Sequence, residues 1–320
     1  MPEFRRVDII SDPAFLEHVT GRDHPESPER MTAILERLDR SPFAFSIRRV
    51  APRSVEREFV SSVHNEAYLF RFEETCLSGR EYFMHPDNRV CYETYRVALL
   101  SAGACLTGID LIEDEGPALP FCCIRPPGHH AEAGLALGFC FLNNVAIAAR
   151  YWQTRYGRRR IFILDWDAHH GNGIQEVFDE DPDVFYASIH EHPTFSFPGT
   201  GYADEDGNGA GKGATLNIPL APGSGEREVL DALSCRVAPA IEAFGPEAFI
   251  VAAGFDGHVL DDMSGLSYTT RLYGQIGTYM SAWAERYCGG KVLTVLEGGY
   301  HLEALASSVE AYLAGLSMKV

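Results

Sequence analysis

The stretch Ile161-Phe162-Ile163-Leu164-Asp165-Trp166-Asp167-Ala168-His169-His170-Gly171-Asn172-Gly173 changes character partway along. Its four leading apolar residues, introduced by Arg158-Arg159-Arg160, have the composition of a strand buried on both faces of a parallel sheet. Two carboxylates, two imidazoles and a glycine-bearing turn follow at once. In open α/β sheets ligands bind at the carboxyl ends of the strands, where these groups would lie. On an extended backbone Asp165, Asp167 and His169 point to one side, because side chains alternate with period two. Carboxylates converging there would repel unless one is protonated or a cation lies between them. Asp oxygen with His nitrogen suits zinc, iron(II) or manganese. An Asp-rich turn with solvated histidines explains a lone Asp-X-Asp well, but explains this run behind a buried strand poorly.

The 320 residues are 46% hydrophobic and 22% charged, a globular composition with ample core. The length exceeds the usual domain of ~100–150 residues. No linker, repeat or low-complexity tract divides the chain, so residues 1–320 read as one domain. Forty-five acidic against 27 basic residues leave a net charge of −18. Phosphate binding needs clustered Lys and Arg, so neither nucleic acid nor an anionic membrane is an expected partner. The one basic cluster, residues 155–160, runs into the Ile161 strand and reads as a solvated loop. The eight cysteines form no C-x-x-C pair, and several sit in apolar runs. They read as reduced core residues of a cytoplasmic protein. The first residues, Met1 to Val7, lack the apolar segment of a signal peptide. No apolar run approaches the ~20 residues of a bilayer span. Homo-oligomerisation is left open.

Residues 5–10 suggest a first strand. Ser27-Pro28 marks a helix start, with Ser at the N-cap and Pro at the first helical position, ahead of Ile34, Leu35 and Leu38. Arg30 falls in that first turn, where the plain reading is a surface cation and a functional one stays open. Residues 63–69 lead into another helix, residues 85–89 read as polar loop, and residues 94–112 as a closely packed helix. Residues 121–124 form a second buried strand, ending at Arg125-Pro126-Pro127-Gly128-His129-His130. Strands at 185–190, 215–220, 249–253 and 292–296 and helices at 145–152, 226–244 and 269–287 complete the pattern. Residues 201–213, with five glycines and three acids, read as a flexible loop too polar to pack. Strands alternating with helices imply an α/β fold: a single open domain with a mainly parallel central sheet flanked by helices.

Four buried strands therefore deliver polar groups to one sheet edge: His129 and His130, Asp165 to His169, Asp256, and Tyr300. Each has a plain explanation alone: a solvated turn, a helix cap, a core tyrosine. Their shared placement at strand ends favours chemistry. Asp167, His169 and Asp256 supply three ligands and leave a position for water, the pattern of a catalytic zinc. The histidine pair can take a proton from water and return one to a leaving amine. Asp165 is spare and suits a His ring N–H. Tyr300, on a loop with two glycines, can donate to a developing oxyanion.

The segments R-P-P-G-H-H (125–130), G-F-C-F-L-N-N (138–144), D-W-D-A-H-H-G-N-G (165–173), F-P-G-T-G (197–201), A-G-F-D (253–256) and E-G-G-Y (297–300) resemble the zinc-dependent histone deacetylase superfamily. Asn172 and the H-P-E-S-P-E-R opening look more like class II and bacterial deacetylase-like amidohydrolases, relatives of the acetylpolyamine amidohydrolases, than like class I. The resemblance implies an arginase/deacetylase-like fold and a zinc site of Asp167, His169 and Asp256, with iron(II) as the rival ion. His129 and His130 match the tandem histidines, Asp165 the carboxylate behind His129, and Tyr300 the transition-state tyrosine. Asn172 stands where class I members carry a second such Asp. Phe139 and Phe197 match two aromatics flanking an acyl-lysine channel, with Gly138 at its wall, and Arg30 an arginine near an acetate-release cavity. The resemblance also implies potassium at Asp165, Asp167, His169 and Ser188, and a second potassium at Phe178, Asp181 and Val184.

Polyamine-selective relatives carry an acidic gatekeeper seven residues after the last zinc ligand; here that position is Met263, which favours a neutral acyl-lysine stem. Asp261 and Asp262 beside it, with the acidic chain, keep acetylpolyamines as the alternative. An arginase-like ureohydrolase would need a further carboxylate in D-A-H-x-D, absent from His169-His170-Gly171. Tyr300 and the two histidines argue against a non-catalytic acyl-lysine binder. The expected partner is therefore an acylated lysine or acylated amine substrate.

Overall fold

In the computed structural model, which describes residues 4–116 and 118–318, ten strands form. They are β1 (Val7–Ile10), β2 (Ile47–Val50), β3 (Tyr82–Phe83), β4 (His85–Arg89), β5 (Leu119–Cys122), β6 (Ile161–Asp165), β7 (Val184–Glu191), β8 (Thr215–Leu220), β9 (Ala248–Ala253) and β10 (Val292–Leu296). Eight of them make one sheet in the order β2-β1-β5-β10-β9-β6-β7-β8, and every pairing in it is parallel. Every residue of β1, β5, β6, β7, β9 and β10 is buried, as strands covered on both faces require. The register aligns the strand ends: Asp165 lies between Ala252 and Ser188, and Leu296 lies beside Ala253.

The helices are α1 (Glu29–Asp39), α2 (Arg57–Ser61), α3 (Glu66–Leu77), α4 (Thr94–Glu115), α5 (Asn144–Tyr156), α6 (Asn172–Phe178), α7 (Glu226–Ala232), α8 (Ala238–Phe244), α9 (Thr270–Cys288) and α10 (Leu302–Ser317). α9 and α10 pack on each other with α1, α4 packs on α5, and both groups touch the sheet. The caps follow the sequence: Asn65, Asn143 and Thr269 accept main-chain N–H bonds at the starts of α3, α5 and α9.

Several expectations need correction. Ser27 does not cap α1; Pro28 takes the cap position, and its turn closes by main-chain bonds from Arg30 and Met31 to the Ser27 and Pro28 carbonyls. Residues 85–89 are not loop but half of the antiparallel β3–β4 hairpin, whose polar sequence carries no apolar alternation to betray it. The stretch at 226–244 is two α-helical segments joined by a π-helical turn, Leu233–Val237. Residues 201–213 do pack: Gly201, Gly207 and Gly211 are buried, and the Asn208 N–H bonds the Asp179 carbonyl. β2 and α10 carried no expectation. α4 is long and apolar enough, by length and composition, to cross a membrane, contrary to the expectation that no such run exists. Here its Val97, Leu106 and Ile109 are in the core. Met1–Glu3, within the N-terminal segment read above, lie outside the described residues.

Arg30 is no surface cation either. Arg30, Glu26 and Arg125 are all fully buried. The Arg125 guanidinium grips both Glu26 oxygens at 2.7 and 2.8 Å and donates to the Phe15 and His18 carbonyls at 2.9 and 2.7 Å. Arg30 Nη1 reaches Glu26 Oε1 at 3.2 Å, while its Nε and Nη2 donate to the carbonyls of Gly299 and Glu297. Burial alone would raise the pKa of Glu26, but Arg125, His18 and Arg30 hold it well below 4.5.

Glu26→Gln leaves two buried guanidinium ions short of charge and should cost about 3–5 kcal/mol at pH 7. Because the folded pKa is depressed, this contribution is whole above the ordinary carboxylate value and fades as pH falls below it. Denaturant melts should show a constant gap between wild type and variant from pH 7 to about 5, closing below about 4.5. A gap that persists unchanged in acid would contradict this account.

Candidate metal and active site

The carboxyl ends of β5, β6, β9 and β10 open onto one pit. Asp167 and His169 follow β6, and Asp256 follows β9; ligand atoms from all three lie within 4.8 Å of one another, and all three residues are buried. His169 Nδ1 faces Asp256 Oδ2 at 2.9 Å and Asp167 Oδ1 at 3.2 Å. Its Nε2 lies 3.1 Å from the Met263 carbonyl, which fixes the proton on Nε2 and leaves Nδ1 as the ligand nitrogen. Backbone N–H groups complete the cradle: Ala168 donates to Asp256 Oδ1 at 2.9 Å and Gly298 to Asp167 Oδ2 at 2.8 Å. A Cβ at Gly298 would collide with both carboxylates, so only glycine lets the β10 loop approach this closely.

The donor set fits a divalent cation. Burial and the neighbouring Asp167 push Asp256 up to about 6, whereas His129 and His169 hold Asp167 low against its own burial. Two carboxylates and an imidazole converging in a buried pit is an arrangement that a cation relieves.

The tandem histidines divide in character. His129 Nδ1 lies 3.2 Å from Asp165 Oδ2, which also accepts from Tyr186 Oη at 3.0 Å. Burial disfavours charge on His129, but Asp167 and Asp165 outweigh it and push its pKa to about 10. A cation held by Asp167 would cancel part of that pull and leave Asp165 as the partner. His130 Nδ1 lies 2.8 Å from Asn172 Oδ1, a neutral acceptor that leaves Nε2 free as a base. Burial, His129 and His169 depress its pKa well below 6.5. Asn172 is itself held by Glu132 Oε1, which accepts from Nδ2 at 2.8 Å.

A cavity of about 160 Å³ leads to these groups, lined by Asp87, His130, Gly138, Phe139, His169, Phe197, Met263 and Tyr300. The Phe197 ring meets His130 edge-on at 4.9 Å, and the Phe139 ring meets Tyr300 edge-on at 5.8 Å. Gly138 and Phe139 both have positive φ, 53° and 68°. A Cβ at Gly138 would strike His130 and Phe197. The left-handed backbone at Phe139 is strain spent on aiming its ring.

Of the catalytic and channel residues expected from the sequence, His130, Gly138, Phe139, Phe197, Met263 and Tyr300 line this cavity, while Asp165 and Asn172 stand behind His129 and His130. Ser188 pairs in register with Asp165, its Oγ 2.7 Å from His190 Nδ1. Phe178, Asp181 and Val184 lie together at the α6–β7 turn, where the Asp181 carboxylate is taken by Arg150. Two residues depart from their readings. Asp261 does not face the mouth; it is buried and accepts from Tyr300 N at 2.6 Å and His301 N at 2.9 Å, fixing the tyrosine loop. Arg30 stands 5.1 Å from the Tyr300 ring centroid and holds the same loop. Sequence reasoning missed Asp87, which β4 carries to the channel, because nothing in His85-Pro86-Asp87 signals a strand.

The comparisons with known proteins agree with this geometry. The histone deacetylase domain family matches residues 24–316. The chain is 37% identical to histone deacetylase 14, chloroplastic, of Arabidopsis thaliana over 317 residues, covering 94% of this chain and 74% of that one. It is 36% identical to the human polyamine deacetylase HDAC10, covering 89% of this chain and 43% of that protein. The crystal structure of the HDA15 HD domain superposes with a TM-score of 0.90 at 32% identity, over 98% of this chain and 88% of that one. With sequence, fold and the matched residues in accord, the chain belongs to the histone deacetylase family.

Proposed function

We propose that this deacetylase-family hydrolase removes acetyl or other short acyl groups from lysine side chains or similar amines, using a divalent cation held by Asp167, His169 and Asp256. Zinc is the first choice for that ligand set and iron(II) the second. The observation that carries the reading is the pairing of a neutral base, His130, with Tyr300 on one narrow cavity beside His169. At about 160 Å³ it is smaller than the ~300–1,000 Å³ of common small-molecule sites, which suits a slender aliphatic stem. The bound cation supplies Lewis acidity, polarising the amide carbonyl and acidifying water. His130 takes the proton of the attacking water at its free nitrogen. The Tyr300 hydroxyl donates a hydrogen bond to the carbonyl oxygen as that oxygen gains charge, and keeps its proton. Charged His129, braced by Asp165, stabilises the negative charge, and His130 returns the proton it took to the leaving amine as the C–N bond breaks. Phe139 and Phe197 exclude water around the stem.

Potassium at Asp165, Asp167, His169 and Ser188, partly through main-chain carbonyls, and a second potassium at Phe178, Asp181 and Val184, belong to the same reading. So does a reducing, cytoplasmic setting, supported by eight free cysteines. The acidic surplus speaks against nucleic acid or anionic membrane as a partner.

Acetylpolyamines are the second reading, favoured by Asp87 on the channel and by the similarity to a polyamine deacetylase. Inward-turned Asp261 and apolar Met263 weigh against it. In a side-by-side assay with zinc- and iron-loaded protein, acetyl-lysine peptides should turn over faster than acetylputrescine or acetylspermidine; the opposite ranking would move the assignment to polyamines.

Tyr300→Phe should lower kcat by about 10²–10³ with metal content unchanged by elemental analysis. Near-full turnover in that variant would remove Tyr300 from the mechanism. Asn172→Asp places a charge on His130 Nδ1 and raises the pKa of a base that must be unprotonated. The acid limb of the kcat/KM profile should then move up by about one pH unit or more. An unmoved limb would assign the base elsewhere.

A further inference from the structure

Glu297 closes β10, is fully buried, and takes no part in the chemistry above. Its Oε2 accepts two consecutive main-chain N–H groups, from Gly128 at 2.7 Å and His129 at 3.1 Å. These are the residues that lead into the histidine pair. Its main-chain carbonyl accepts from Arg30, and its N–H donates to the Ala253 carbonyl at 3.0 Å. One residue therefore ties together the ends of β10, β9 and β5. Its other oxygen, Oε1, is buried and has no hydrogen-bond partner. One ligating atom each of Glu297, His129 and Cys140 lies within 4.8 Å of the others.

We propose that Glu297 is a positioning residue: one carboxyl oxygen, by its reach, clamps the backbone of the Gly128–His129 turn and so sets where both imidazoles stand over the metal pit. The clamp needs an acceptor at a fixed distance and does not need a negative charge. An ionised Oε1 without a donor, deep in the protein, would be costly. A neutral carboxyl puts a hydroxyl there instead, and the Cys140 sulfur, a weak acceptor, lies within 4.8 Å of one Glu297 oxygen. Burial does push the Glu297 carboxyl up to about 7.

The inference rests on the hydrolase reading, and two variants separate reach from charge. Glu297→Gln keeps an oxygen at full reach and removes the charge. Glu297→Asp keeps the carboxylate but shortens it by one methylene. With KM and bound metal unchanged, kcat should fall by no more than about threefold in the Gln variant and by about tenfold or more in the Asp variant, since an ångström-scale misplacement of catalytic groups is expensive. The amide proton signals of Gly128 and His129 should stay near their wild-type positions in the Gln variant and move upfield in the Asp variant. Those signals judge the clamp even if the wild type proves inert toward every acyl substrate, an outcome that would sink the hydrolase reading alone. Asp matching or exceeding Gln in kcat, or amide signals unmoved in the Asp variant, overturns the proposal.

Discussion

Two carboxylates and an imidazole are forced together where β6 and β9 end, and much of the structure exists to make that tolerable. Asp167 and Asp256 both face His169 Nδ1 within 3.2 Å, at a buried sheet edge reached through one narrow cavity. Such a cluster is unfavourable without a cation and strongly favourable with one. Each oxygen not aimed at the pit is tied to a backbone N–H, and glycine at 298 lets the third strand come close enough to contribute one.

A second charged cluster serves the first from a distance. Arg125, Glu26 and Arg30 join the loop after β5 to the loop after β10, and the Arg30 guanidinium stands 5.1 Å from the Tyr300 ring centroid. Buried ion groups of this kind add little net stability compared with apolar packing. Their directional bonds instead hold loops that carry too few apolar side chains to be fixed by a core. Asp261 does the same for Tyr300 with two N–H bonds. The catalytic groups are thus positioned mainly by polar contacts to main chain, within a frame built by hydrophobic burial.

That distinction explains what could be read from the chain. The strand of Ile161–Asp165 and its neighbours were legible because buried parallel strands are continuous apolar runs. The chemistry at their ends was legible because Asp, His and Tyr from four strands share one sheet edge and because the segments that carry them resemble a known superfamily. The β3–β4 hairpin was not, since His85-Pro86-Asp87-Asn88-Arg89 has no alternation, and Asp87 went unseen with it. Ser27 was overvalued as a cap because propensity cannot tell which of two adjacent residues turns first. The surface reading of Arg30 and the mouth-facing reading of Asp261 failed for a common reason: a charged residue is read as exposed unless its partners are known, and both bond backbone atoms far away in sequence.

The contact between His169 Nε2 and Met263 joins a metal ligand to the channel wall, yet it is made to the carbonyl oxygen. The Met263 side chain is free to change while its main chain keeps the imidazole in place. Selectivity and catalysis are in this way separable at a single position: the wall can drift toward bulkier, smaller or charged side chains without disturbing the ligand it orients. One backbone could then be retuned to new amides by point substitution, with the catalyst itself carried along intact.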